Sequence, residues 1–115
     1  MTNQYKKKLL IVEDETGLAK QLKWGLMERY QVLLAHDRNE ALKLLEKEKP
    51  PLVSLDLGLP PEPDGTSEGY RLMQELMRNS PETKVVVVTG STDKEAAFRA
   101  IEMGAYDYYL SLIHI

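Results

Sequence analysis

The sequence predicts an α/β domain: five parallel strands in one sheet, with helices on both faces. Three observations carry this. Short apolar runs alternate with segments of helical apolar spacing, at intervals of roughly 20 to 25 residues, the mark of βαβ units joined by right-handed crossovers. The runs Leu9-Leu10-Ile11-Val12 and Val85-Val86-Val87-Val88 are unbroken, as in strands buried on both faces. Two runs also end in acid: the first enters Glu13-Asp14-Glu15, and Leu52-Val53-Ser54-Leu55 enters Asp56. In parallel sheets the crevice outside the strands' carboxyl ends is where ligands bind.

Each element has its own warrant in the sequence. Leu9 to Val12 is the first strand. Thr16 to Tyr30 reads as a helix, because Leu18, Leu22 and Leu26 fall on one stripe. Thr16 is its expected N-cap, and Gly25 weakens its middle by about 1 kcal/mol relative to Ala. Gln31 to Ala35 is a short second strand. Asp37 or Asn39 can cap a helix over Asn39 to Lys49 with Ala41, Leu42 and Leu45 inward, and Pro50-Pro51 forbids its continuation. Leu52 to Leu57 is the third strand, followed by a loop from Gly58 to about Ser67 rich in Pro, Gly and acids.

Ser67 or Glu68 opens a helix to Arg78 with Leu72, Met73, Leu76 and Met77 inward, and Asn79-Ser80-Pro81 ends it. Lys84 to Thr89 is a central strand, since four successive β-branched residues fit a pleated, buried position. Ser91, Thr92 or Asp93 caps a helix over Lys94 to Met103. Gly104 suits its left-handed C-terminal position. Tyr106 to Leu110 is the fifth strand.

Composition bounds the rest. At 115 residues the chain has room for one domain, and 43% hydrophobic with 29% charged residues is ordinary for a globular protein. It contains no cysteine, which excludes disulfides and thiolate metal sites. A cytoplasmic location is the default expectation, and no stretch reaches the ~20 apolar residues of a membrane span. The basic start is followed by too short an apolar stretch for a signal peptide. Net charge is -3, and Lys6-Lys7-Lys8 is the only basic run, so nucleic-acid binding by this domain is not expected.

The acids at the strand ends admit more than one chemistry. Asp56, fixed on a strand tip, can coordinate a metal, attack phosphorus to give an acyl phosphate, or simply form a turn. Gly58 could offer its carbonyl to a hard cation such as Mg²⁺. Glu13 and Asp14 can serve a cation or, as Glu15 does more naturally, favour the first helix's N-terminus. Three carboxylates in one crevice would repel one another unless a divalent cation sat among them. Thr89-Gly90-Ser91 ends the fourth strand. There a hydroxyl and backbone N–H groups could donate to phosphoryl oxygens, or the segment is a turn into the next helix. His36 is expected on the surface away from the site. Neither it nor His114 has a ligand at helical spacing, so zinc is not expected.

Taken together, Leu-Leu-Ile-Val-Glu13-Asp14, Leu-Val-Ser-Leu-Asp56-Leu-Gly-Leu-Pro60, Val-Val-Val-Val-Thr89-Gly90 and Gly104-Ala105-Tyr106-Asp107-Tyr108 resemble the receiver domain of bacterial two-component response regulators. The likeness covers roughly Lys8 to Leu110, and the wording Asp-Leu-Gly-Leu-Pro-Pro looks most like receivers of sigma-54-dependent transcription activators. It implies a flavodoxin-like (CheY-like) fold with strand order 2-1-3-4-5. It implies Asp56 as phosphoacceptor, with Asp14 and the Gly58 carbonyl on Mg²⁺ and Glu13 acting through water. Thr89 would be the switch hydroxyl, Gly90 a backbone contact to the phosphoryl group, and Tyr108 the switch aromatic. The implied partners are a sensor histidine kinase and, in the full-length protein, an output domain.

Three departures from the family pattern stand out. Ser111 and Leu112 occupy the places of a Lys-Pro pair whose lysine contacts the phosphoryl group. No fifth helix follows, so residues 1–110 are expected to form the receiver and 111–115 an atypical, non-native tail. The uncovered sheet face then favours homodimerisation or strand exchange. Last, the loop from Pro60 to Gly69 is about five residues longer than usual, a change that costs little in closure entropy. Two other functions compete with the signalling one. A phosphohydrolase with an Asp nucleophile would need a second Asp where Gly58 stands, so an enzyme is not expected. A receiver-shaped binding module that is never phosphorylated would tolerate Ser111.

Overall fold

The structure, a computed structural model, describes residues 6–59, 67–90 and 94–111. Its elements run β1 (Lys7–Val12), α1 (Thr16–Leu26), β2 (Tyr30–Ala35), α2 (Arg38–Glu48), β3 (Leu52–Asp56), α3 (Ser67–Asn79), β4 (Lys84–Gly90), α4 (Lys94–Glu102) and β5 (Asp107–Ser111). The sheet order is β2-β1-β3-β4-β5, and every pair is parallel. The expected architecture and strand order are therefore observed.

Alternation along the strands divides the residues between two faces. Leu10 and Val12 of β1, Val53 and Leu55 of β3, and Val85 and Val87 of β4 are fully buried. They form one core with Ala41 of α2, Leu72, Met73 and Leu76 of α3, and Ala96 and Ala100 of α4. The opposite face carries Leu9, Ile11, Val86 and Val88, and the α1 leucines Leu18, Leu22 and Leu26 stand beside it. A groove of about 570 Å³ runs between α1 and Tyr109 on this face. Among the described residues no helix follows β5. The α1 stripe of Leu18, Leu22 and Leu26 is half-buried, and Ala19 is the one fully buried residue of that helix.

Several boundaries differ from the sequence expectation, each for a local reason. Helix α1 ends at Leu26 because Tyr30 pairs with Lys7 and so belongs to β2. Its N-cap is Glu15, whose carboxylate accepts from the N–H groups of Gly17 (2.9 Å) and Leu18 (3.0 Å), leaving Thr16 as the first helical residue. Asp37 caps α2 by accepting from Glu40 N–H at 2.8 Å, so that helix starts at Arg38. Lys49 then turns left-handed (φ 48°) ahead of the two prolines. Gly104 has φ +119°, as its place after α4 requires. The N–H of Ala105 reaches back to the Ala100 carbonyl (3.0 Å) and closes that helix.

Strand β5 begins at Asp107 and extends to Ser111, which pairs with Gly90, so the sheet runs one residue past the expected boundary at 110. The caps expected at Ser91 to Asp93, most of the long loop (60–66) and residues 112–115 lie outside the described residues. No helix among the described residues is long and apolar enough to cross a membrane.

Candidate phosphoacceptor site

The pairing of β1 with β3, from Leu9↔Leu52 to Val12↔Leu55, brings the two acid-tipped ends side by side. Glu13 continues β1 by one residue: its N–H donates to the Ala35 carbonyl at 2.9 Å. Glu13 is 2% exposed and Asp56 4%, while Asp14 is half-buried at the mouth. Ligand-capable oxygens of Glu13, Asp14 and Asp56 all lie within 4.8 Å of one another. The first and third strands thus deliver the cluster that the sequence suggested.

Two backbone amides hold the cluster in place. Gly58 N–H donates to Asp56 Oδ1 at 3.0 Å, and Glu15 N–H donates to Glu13 Oε2 at 3.2 Å. Leu57 N–H donates to the Val88 carbonyl at 3.0 Å, so the chain just past Asp56 is still tied to β4. Burial pushes the Asp56 carboxyl up to about 6, and the Asp14 charge adds to the rise. Hydrogen bonding with Glu13 and with the Gly58 amide pulls the other way.

An all-oxygen donor set of this kind fits a hard divalent cation, and Mg²⁺ is content with one or two carboxylates and water. A cation there would oppose the mutual repulsion and favour the ionised Asp56, the form that can act as a nucleophile. The residues present therefore fit the expected metal.

The remaining expected site residues lie on β4 and β5. Asp56 pairs with Val88, so Thr89 comes one residue later on the adjacent strand, where it is 4% exposed. Gly90 is the last residue of β4. Tyr108 on β5 pairs with Val87 of β4 and is half-buried, with its ring edge-on to Phe98 at a centroid distance of 6.0 Å. Tyr106, just before β5, and Tyr109 within it are 66% and 63% exposed. Lys84 lies over the Tyr106 ring at 5.0 Å.

Sequence reasoning missed three contributors and misplaced one of them. His36 is half-buried and adjoins the site, with Nδ1 3.0 Å from the Glu13 carbonyl. The Val12↔Ala35 register makes this unavoidable, since the next residue of each strand end must meet. Gly69, near the start of α3, packs so closely on the chain after Asp56 that a Cβ there would lie 2.5 Å from the Leu57 Cα and carbonyl oxygen. A glycine in the first turn of a predicted helix was the available signal. The Arg38 guanidinium joins α2 to α3 through Glu68 (3.0 Å) and Glu75 (2.8 Å), which no local pattern reveals.

Comparison with known proteins agrees with this geometry. Residues 9–110 match the family model described as the response regulator receiver domain. The probable transcriptional regulator ycf27 of Porphyridium aerugineum is 34% identical over 90% of this chain and 41% of its own length. The alkaline phosphatase synthesis transcriptional regulatory protein PhoP of Bacillus subtilis is 32% identical over 89% of this chain, again 41% of its length. The chain thus spans about two fifths of these relatives. Among solved structures, NtrX from Brucella abortus in complex with ADP superposes with a TM-score of 0.82 at 30% identity, covering 93% of this chain and 23% of that one. A CheY-like response regulator receiver domain protein from Methanospirillum hungatei gives 0.81 at 30% identity, over 93% and 82% of the two chains. With motif, strand order and acidic pocket in agreement, the chain belongs to the response regulator receiver domain family.

Proposed function

We propose that this domain takes a phosphoryl group from a sensor histidine kinase onto Asp56 and passes the event on as a change of shape. The observation that carries the reading is the meeting of Glu13, Asp14 and Asp56 within 4.8 Å at the ends of two adjacent strands. In the transfer an Asp56 carboxylate oxygen attacks phosphorus and the P–N bond to the donor imidazole breaks; the donor ring, protonated at its other nitrogen, keeps the bond's electron pair and leaves as neutral imidazole. Mg²⁺, when bound, offsets negative charge on the carboxylates and on the phosphoryl oxygens.

Asp14 and the Gly58 carbonyl are assigned as direct metal ligands, with Glu13 acting through water. The Gly58 amide orients Asp56 for attack. Phosphorylation roughly doubles the local negative charge and adds acceptor oxygens. Thr89 then donates its hydroxyl and Gly90 its N–H, and Tyr108 on β5 responds by changing its rotamer. An output domain would read the change, and the names of the relatives, transcriptional regulators, support transcription as its field.

The test is incubation with Mg²⁺ and acetyl phosphate or beryllofluoride, beside Asp56→Asn. Mg²⁺-dependent stable labelling that the substitution abolishes supports the assignment. Rapid multiple turnover would point to a phosphohydrolase instead. A folded wild-type domain that takes no label would sink the reading in favour of a binding module.

A further inference from the structure

We propose that Arg38 is a positioning residue for the phosphoacceptor: it holds the first turn of α3 against the chain that follows Asp56. The inference rests on the reading of Asp56 given above. It starts from the β2–α2 turn, which meets the acid-bearing end of β1 on one side and α3 on the other. On one side His36 meets the Glu13 carbonyl at 3.0 Å. The turn itself is stiff, because His36 N–H donates to Glu40 Oε1 and Glu40 N–H to Asp37 Oδ1, each at 2.8 Å.

On the other side Arg38, the first residue of α2, sends Nε to Glu68 at 3.0 Å and Nη1 to Glu75 at 2.8 Å. Those two carboxylates are two turns apart on one stripe of α3, so the guanidinium fixes both the position and the rotation of that helix. The three side chains are 21%, 14% and 28% exposed, sheltered enough to hold their geometry. Glu68 directly precedes Gly69, and Gly69 rests on Leu57 with no room for a methyl group. Leu57 in turn joins Asp56 to Gly58, whose amide holds Asp56 Oδ1. The chain of contacts therefore runs from Arg38 through the α3 first turn to the reacting carboxylate. A lysine could satisfy one carboxylate but not both from one rigid fork.

Arg38→Ala should leave the chain folded by circular dichroism. The amide resonances of Leu57 and Gly58 should shift, and the labelling rate with acetyl phosphate at saturating Mg²⁺ should fall roughly tenfold, as a sub-ångström misplacement does. Arg38→Lys should recover part of both. Lys8→Ala, which breaks the Lys8–Glu48 pair (2.8 Å) elsewhere in the domain, should move neither. Unchanged Leu57 and Gly58 resonances with wild-type labelling in folded Arg38→Ala would overturn the proposal. Should that variant not fold, Glu75→Gln cuts one arm alone, and its failure to move the same two resonances would overturn it equally. If wild-type protein takes no label, the phosphoacceptor assignment falls and the two resonances alone decide the role of Arg38.

Discussion

Replacing Asp56 with asparagine should make the metal-free domain more stable at neutral pH. The folded site holds Asp56 up to about 6 against an ordinary 3.8, chiefly through burial. Between those values the folded state keeps a proton that the unfolded chain has already released. Stability therefore falls as pH rises through this window, and the penalty is complete above the folded pKa. At about 1.4 kcal/mol per pH unit the full penalty is about 3 kcal/mol. With Asp56 4% exposed, solvent screens little of it. Asparagine keeps the side-chain oxygen that accepts from Gly58 and carries no charge. Urea unfolding in EDTA, followed at 222 nm from pH 4.5 to 8, should show the two proteins diverging as pH rises, with Asp56→Asn ahead by about 3 kcal/mol at pH 7.5. Mg²⁺ at a hundred times its Kd should add about 2.7 kcal/mol to the wild type and close most of the gap. Equal stabilities at pH 7.5 in EDTA, or a difference that shrinks with rising pH, would refute the argument.

Other substitutions follow from the packing. Gly69→Ala would drive a methyl group into the Leu57 backbone, and a loss of about 3 kcal/mol in urea is expected, with slower labelling of Asp56. Gly104→Ala meets both a positive φ and the Met77 sulfur, 2.7 Å from the new Cβ, so about 1 to 3 kcal/mol should go, without effect on labelling per folded molecule. Asp37→Ala removes the α2 cap and should cost about 1 kcal/mol by the same measurement. Thr89→Ala should still accept beryllofluoride, but the Tyr108 ring resonances should no longer respond to it.

The fold was open to sequence reading because its signals are local and redundant. Four consecutive valines, two acid-tipped apolar runs and a glycine after α4 each state a structure within a few residues. The acidic cluster was legible for the same reason, since parallel strands put their carboxyl ends together. What escaped depends on partners distant in sequence. His36 looked like surface until the β1–β2 register set it beside Glu13. Glu15 rather than Thr16 caps α1 because a longer side chain can curl back to two amides. Arg38 carries no local mark of the two glutamates thirty and more positions away.

The site also has a place in the order of folding. Glu13 and Asp56 come together only when β1 and β3 pair, a non-local contact closed across α1, β2 and α2. Until that closure the acids are solvated and indifferent to one another. The repulsion is thus loaded onto the step that zips the centre of the sheet, where loop-closure entropy is already being spent. A divalent cation acting on that step would show its timing in the kinetics. Faster folding would mean that the strand ends meet before the transition state, and slower unfolding alone would mean that they meet after it.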